Sequence, residues 1–165
     1  MIHFQSFTGT VTAISDYNFG TDGEGEGCYK VITVENHLGS IVHFIVSPAT
    51  YFIDHAMILT GDRVTGYYDG NAPVPLIYPP QYQALIMAKV SPYQNVTVDY
   101  FDSQLVSRDG QLQLNLSPST QLLLTNGQAF TSNPANRNLI VIYGPSTKSI
   151  PAQTTPYRVI IWCRG

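Results

Sequence analysis

Apolar and polar residues alternate with a period of two along much of the chain, which is the pattern of β-strands with one buried face. The pattern is clearest in two stretches, whose apolar positions are Val42, Phe44 and Val46 in the first and Leu112, Leu114 and Leu116 in the second. The continuous apolar runs at residues 84–88 and 159–163 have the length of strands, far short of the roughly 20 residues that a membrane-spanning helix needs. The pattern predicts an all-β protein with no membrane-spanning segment.

Two Ser-Pro segments indicate an internal repeat. Residues 46–50 read Val-Ser-Pro-Ala-Thr, and residues 116–120 read Leu-Ser-Pro-Ser-Thr. Later in the chain the spacing between the copies grows from 70 to 75 residues, which aligns Tyr68 with Tyr143 and Tyr82 with Tyr157. The shared order of these matches predicts two homologous modules, residues 1–91 and 92–165.

Each module is predicted to contain five strands. In the first module, a Ser-Pro pair resembles a helix N-cap, so residues 49–58 are expected to form a short helix or an irregular crossing. A Gly-Asp turn at residues 61–62 leads into a strand at residues 64–68. A Pro-rich loop then precedes a last strand, predicted at residues 82–90.

This order of elements resembles the OB (oligonucleotide/oligosaccharide-binding) fold, a five-stranded Greek-key barrel whose third and fourth strands are often linked by a helix. Residues 59–66, Leu-Thr-Gly-Asp-Arg-Val-Thr-Gly, are similar to the turn that opens the fourth strand in many such barrels. The resemblance implies two duplicated five-stranded OB-like Greek-key barrels, with two small β-sandwich domains as the alternative. The chain also resembles small proteins of spore-forming Gram-positive bacteria, and that resemblance implies no activity.

The charge composition argues against one class of function and favours another. Charged residues make up only 12% of the chain and Lys plus Arg total 8, which argues against an ordinary electrostatic nucleic-acid binder. The first module carries eight acidic and three basic residues, a net charge of −5, and the second carries three acidic and five basic residues, a net charge of +2. This asymmetry suits head-to-tail association, and a neutral polar surface offers little charge repulsion to oppose it.

A Gly-rich loop at residues 16–27 holds four of the acidic residues. Asp16, Asn18 and Asp22 match positions 1, 3 and 7 of a calcium-binding loop, and Glu24 is a further weak candidate ligand. Thr21 stands where that loop requires Gly, and its last position lacks the bidentate Glu. A solvated loop is the favoured interpretation, and no metal or other cofactor is predicted.

Motifs of nucleophilic or metal-dependent catalysis are not found in the sequence, and the histidines are scattered, so we predict a protein that is not an enzyme. The two cysteines, Cys28 and Cys163, are interpreted as half-buried strand thiols. The alternatives are a disulfide between subunits and one that ties the two ends of the chain.

Aromatic residues flank the Pro-rich loop of each module and are the strongest candidates for binding. Such side chains stack on bases or sugars, or bury rigid contact area against a neighbouring subunit. The candidate binding or interface residues are Tyr67, Tyr68, Tyr78, Tyr82, Arg137, Tyr143, Lys148, Tyr157 and Arg158.

We therefore expect a non-catalytic, self-assembling subunit of a surface layer, coat or fibre, held in a homo-oligomer or polymer by β-edge and Tyr-rich contacts. The alternative is a binding module for an oligosaccharide or single-stranded nucleic acid, using the aromatic and basic residues of the second module. The first residues lack the pattern of a secretory signal, so synthesis in the cytosol and a place in a spore or cell-surface assembly are expected.

Overall fold

A computed structural model describes residues 2–17 and 23–163. The chain divides into two compact units, Met1–Val90 (unit 1) and Ser91–Gly165 (unit 2). The structure is 4% helical and 47% strand, which confirms the prediction of an all-β protein. Among the described residues, no helix has the length and apolar character needed to cross a membrane.

Unit 1 contains one seven-stranded sheet. Its strands are β1 (Phe4–Asp16), β2 (Lys30–Glu35), β3 (Ile41–Val46), β4 (Tyr51–Phe52), β5 (Arg63–Asp69), β6 (Gln81–Gln83) and β7 (Ile86–Lys89). The strand order is β4-β7-β5-β1-β2-β3-β6, with antiparallel pairing except for β3 with β6 and β4 with β7, which are parallel.

Unit 2 is built from a four-stranded and a two-stranded sheet. Its strands are β8 (Asn95–Phe101), β9 (Leu112–Leu114), β10 (Gln121–Leu124), β11 (Arg137–Tyr143), β12 (Ala152–Thr154) and β13 (Arg158–Ile161). The larger sheet has the order β10-β13-β11-β8, and β9 pairs in parallel with β12 in the smaller one.

The prediction of two closed OB-like barrels is wrong, because the strands stack in a solenoid-like arrangement of about three turns. Alternation along a strand identifies its buried face, but it does not specify which strands pair or whether a sheet closes. The predicted last strand of unit 1 shows the difference. It is broken at Ala84 and Leu85, so that β6 pairs with β3 and β7 pairs with β4 and β5.

One core cluster of unit 1 lies on the face that the alternation predicts, although Ile45 on the opposite face of β3 is also buried. Val42, Phe44 and Val46 of β3 are buried in one cluster with Ile32 and Val34 of β2. The corresponding cluster of unit 2 includes Leu112 and Leu114 of β9, Leu139 and Val141 of β11, and Val159 and Ile161 of β13. Burial of these branched side chains is the main favourable contribution to folding in each unit.

The two Ser-Pro segments make matching hydrogen bonds. In unit 1, the Thr50 hydroxyl accepts the Ser47 N–H at 3.0 Å and donates to the Ala84 carbonyl at 2.9 Å. In unit 2, the Thr120 hydroxyl accepts the Ser117 N–H at 3.3 Å and donates to a carbonyl of Pro156 at 2.8 Å. Each threonine thus ties the turn to the connection between two strands much later in its own unit, β6 and β7 in unit 1 and β12 and β13 in unit 2.

Residues 49–58, for which a short helix or an irregular crossing was expected, form the irregular crossing. The segment consists of β4 and a single 3₁₀ turn, Ile53–His55. Asp54 and His55 have φ angles of 61° and 53°, values that a continuous right-handed helix does not allow. The Ser-Pro pair therefore begins a turn and not a helix.

Candidate functional site

Tyr68 and Tyr82 form a stacked pair at one end of the unit 1 core. Tyr68 is the inward-facing residue near the end of β5, and Tyr82 lies in the middle of β6. Their ring centroids are 3.8 Å apart, and their ring planes differ by 5°. The Phe44 ring lies at 6.2 Å from Tyr68 and 6.4 Å from Tyr82, tilted to both. The pair therefore rests on the buried core on one side and is partly exposed on the other.

A groove of about 300 Å³ opens beside this pair. We call it the tyrosine groove, and the lining residues that matter for its chemistry are His3, Gln5, Tyr68, Asp69, Val74 and Tyr82. Gln5 on β1 pairs directly with Tyr68 on β5, which places an amide beside the aromatic rings. The groove thus brings two aromatic rings together with hydrogen-bonding side chains.

Asp69 is held in place by backbone donors at the rim of the groove. Its Oδ1 accepts the His3 N–H at 3.1 Å and the Asn71 N–H at 2.9 Å. Because these bonds fix the carboxylate relative to the adjacent Tyr68, the negative charge has a defined position in the groove.

Burial and, after it, the hydrogen bond and charge interaction with Tyr82 raise the pKa of Tyr68 from 10.0 to about 12. The folded state therefore holds this proton more tightly than the unfolded chain does. The stability that results is present below pH 10 and is lost as the pH rises toward 12.

We predict that unit 1 loses stability between pH 10 and 12 and that Tyr68→Phe removes part of this loss, because the variant has no phenol to ionise. Urea unfolding measured across this pH range checks the prediction. Tyr78→Phe is the matched control, since Tyr78 is exposed and should leave the pH dependence unchanged. Equal alkaline slopes for Tyr68→Phe and the native chain would contradict the argument.

The other four predicted tyrosines have different surroundings. Tyr67 is buried in β5, whereas Tyr78 is exposed in the Pro-rich loop. In unit 2, Tyr143 donates to or accepts from the Thr97 hydroxyl at 3.1 Å. Tyr157 lies over Gly144, where an added Cβ would stand 2.8 Å from its ring.

The repeat alignment holds for one tyrosine pair and fails for the other. The carbonyl before Tyr68 accepts the Leu85 N–H, and the carbonyl before Tyr143 accepts the Tyr157 N–H, so Tyr157 corresponds to Leu85. Tyr82 pairs with Phe44, and Thr154 pairs with Leu114, which the repeat aligns with Phe44. Thr154 therefore stands at the position of Tyr82. The stacked pair is therefore a feature of unit 1 alone.

The basic residues predicted to hold an anionic ligand do not form one site. Arg158 pairs with Ile142 near the end of β11, whereas Arg137 begins that strand, roughly 17 Å away at about 3.3 Å per residue. The Arg137 guanidinium lies over the Phe130 ring at 4.9 Å from its centroid. Lys148 is exposed in the loop before β12. Tyr143, Tyr157 and Arg158 share one end of the unit 2 sheet, and Arg137 lies at the other.

The described residues of the acidic loop show an ion pair and no assembled cation site. Asp16 pairs with Lys30, and the Glu24 carbonyl accepts the Cys28 thiol at 3.2 Å. Asn18 and Asp22, the other weak candidate ligands, lie outside the described residues. Within residues 2–17 and 23–163, no three His, Cys, Asp or Glu side chains are clustered so that they could hold a metal ion.

Cys28 and Cys163 are free and exposed, so their interpretation as half-buried thiols does not match their surroundings. Cys28 lies two residues before β2 and Cys163 lies two residues after β13, so neither belongs to a strand. A disulfide between subunits stays a prediction.

The sequence predicted the tyrosines of the groove and missed its polar residues, His3, Gln5 and Asp69. These polar residues could have been found from the strand register, which pairs Gln5 with Tyr68 and Phe4 with Asp69. No protein-family model matches this chain, no curated protein matches its sequence, and no solved structure matches its fold.

Proposed function

We propose that this protein is a non-catalytic structural subunit that assembles with further copies of itself into a surface layer, coat or fibre. The observation that carries the proposal is the Pro-rich loop at residues 71–80, which we call the apolar loop. Its exposed large apolar residues are Val74 (44% exposed), Leu76 (101%), Ile77 (55%) and Tyr78 (78%). Neighbouring apolar side chains held in water on one short loop favour burial against another protein.

The charge distribution favours a second copy of the chain as the partner that covers this loop. Unit 1, which carries the apolar loop, has a net charge of −5, and unit 2 has a net charge of +2. Contact between the acidic unit of one copy and the basic unit of the next is therefore attractive, and it repeats head to tail. The low charged fraction of 12% leaves little general repulsion to oppose it.

An open strand edge in unit 2 gives further support. Strand β8 pairs along its length with β11, while on its other edge the described part of unit 2 provides a bridge only at Phe101, to Ser107. In unit 1 the corresponding strand, β1, is paired on both edges, with β2 and β5. Unpaired N–H and C=O groups along β8 can accept a strand from a neighbouring subunit.

A place in a spore or cell-surface assembly, reached after synthesis in the cytosol, belongs to this proposal. It rests on the resemblance to small proteins of spore-forming Gram-positive bacteria. Immunogold labelling of whole cells and spores of the source organism tests it, since label confined to the cell interior would contradict a surface role.

The assembly proposal is tested with the double variant Leu76→Ser/Ile77→Ser. We expect the native chain to form oligomers whose mass grows with concentration, and we expect the variant to associate at least about tenfold more weakly. Each buried Leu or Ile side chain contributes about 1.5–3 kcal/mol to an apolar contact, and serine contributes almost none of it. Sedimentation velocity over a wide concentration range measures both, and electron microscopy shows whether the oligomers form layers or fibres.

Ile150→Ser is the matched control, because Ile150 is 82% exposed in the corresponding loop of unit 2. We expect this variant to assemble like the native chain. A native chain that stays monomeric at high concentration would refute the proposal, as would equal association of the native chain and the Leu76→Ser/Ile77→Ser variant.

A further inference from the structure

We propose that the tyrosine groove of unit 1 binds an uncharged saccharide unit of an oligosaccharide chain. The proposal goes beyond assembly and does not depend on it. Its basis is the meeting of two partly exposed tyrosine rings with the side chains of Gln5 and Asp69 in one groove of about 300 Å³.

The chemistry of the lining matches a sugar ring. A sugar presents a patch of C–H groups on its faces, which packs against aromatic rings, and hydroxyls at its edge, which need hydrogen-bond partners. Tyr68 and Tyr82 supply the aromatic surface, and Phe44 supports both rings from the core. The Gln5 amide can donate and accept, and the Asp69 carboxylate accepts, so both are suited to sugar hydroxyls.

The groove is also preorganised. The rings are fixed by stacking at 3.8 Å and by the Phe44 contact, and the Asp69 carboxylate is fixed by two backbone N–H groups. A site whose groups are already ordered loses little conformational entropy on binding.

The negative charge of unit 1 and of its groove favours binding of an uncharged saccharide and disfavours binding of nucleic acid. Unit 1 has a net charge of −5, and Asp69 is the carboxylate of the groove itself. Among the described residues, neither a lysine nor an arginine lines the groove, so a phosphate backbone would meet repulsion without the cationic partners that it requires.

Unit 2 provides an internal comparison. Thr154 stands at the position of Tyr82, so the repeat has kept the fold there without the aromatic stack. The change Tyr82→Thr therefore places in unit 1 a residue that the same fold position accepts. The groove would lose half of its aromatic surface while its strand is retained.

The experiment measures binding of cellohexaose, maltohexaose and chitohexaose to the native chain by isothermal titration calorimetry, with a ten-nucleotide oligothymidine as the nucleic-acid probe. We expect saturable binding of at least one saccharide and none of the oligothymidine. We expect Tyr82→Thr to weaken saccharide binding at least about tenfold. Tyr93→Thr is the matched control, because Tyr93 is 86% exposed outside the groove and should bind as the native chain does.

Gln5→Ala is a second variant for the same test, since Gln5 is exposed and its loss should leave the fold intact. We expect it to weaken binding severalfold. The variant Leu76→Ser/Ile77→Ser separates the two proposals, because neither residue lines the groove. At concentrations where it and the native chain are both monomeric, it should bind saccharide with unchanged affinity.

Failure to bind all three saccharides would overturn the proposal. So would undiminished binding by a folded Tyr82→Thr or Gln5→Ala variant, or saturable binding of the oligothymidine in preference to the saccharides.

Discussion

Phe44→Ala is expected to lower the free energy of unfolding of unit 1 by about 3–5 kcal/mol, the largest effect that we predict for a single side chain. Phe44 is completely buried at the centre of the core cluster, and it supports Tyr68 and Tyr82. Truncation removes these contacts and leaves a cavity that the surrounding strands can fill only in part. Urea unfolding of the native chain and the variant measures the difference.

Gly66 provides the control for this prediction, because a Cβ at that position would stand 2.5–2.8 Å from three carbons of the Phe44 ring. Gly66→Ala alone should therefore cost about 1–3 kcal/mol through overpacking. In the Phe44→Ala background the ring is absent, so the same change should cost much less. A double-mutant cycle measures this coupling, and simple additivity of the two changes would show that the ring does not fill the space over Gly66.

Alternation predicted which residues of a strand share a face, but it predicted neither the strand pairing nor burial on both faces. Ile45, on the opposite face of β3, is buried too, and Leu116 is exposed. Alternation correctly assigns Val42, Phe44 and Val46 to the core, because a side chain's face depends only on its parity along the strand. At Ala84 and Leu85, however, the backbone changes partners, bonding to Ile45 and then to Tyr67. This exchange falls within a continuous apolar run, where the sequence has no polar residue to mark it.

The Ser-Pro segments show how a local signal can be ambiguous. A serine followed by proline begins helices, but it also begins compact turns. The outcome here depends on the threonine three residues after the serine, whose hydroxyl reaches a carbonyl 34 residues away in unit 1 and 36 away in unit 2. A contact over that distance depends on the folded topology, which no short window of sequence contains.

The sequence predicted part of the candidate site correctly and part of it wrongly. Aromatic clustering around the Pro-rich loop pointed to Tyr68 and Tyr82, which do stack. The basic residues of the second module pointed to Arg137, which lies at the far end of its strand from Tyr143. Residues near one another in a loop stay near one another in the fold, whereas residues at opposite ends of an extended strand are separated by its full length.

Gly9→Ala is expected to destabilise unit 1 by about 3 kcal/mol, at the upper end of the usual range for overpacking. A Cβ on Gly9 would stand 2.7 Å from the Glu35 carbonyl carbon and 3.0 Å from the Asn36 nitrogen, next to the last paired residues of β1 and β2. Both atoms belong to the backbone, so the clash is relieved only if the strands separate there. Thermal and urea unfolding of the variant measure the cost.

Gly70→Ala is the control for Gly9→Ala, because it adds the same methyl group where the nearest atom belongs to a side chain. A Cβ on Gly70 would stand 2.6 Å from Cγ of Gln5, a comparably close approach, but Gln5 is exposed and its side chain can swing away. We therefore expect Gly70→Ala to cost about 1 kcal/mol or less. If the two variants were equally destabilised, the resistance of the backbone between β1 and β2 would not be the cause, and the loss of glycine's flexibility would explain both results better.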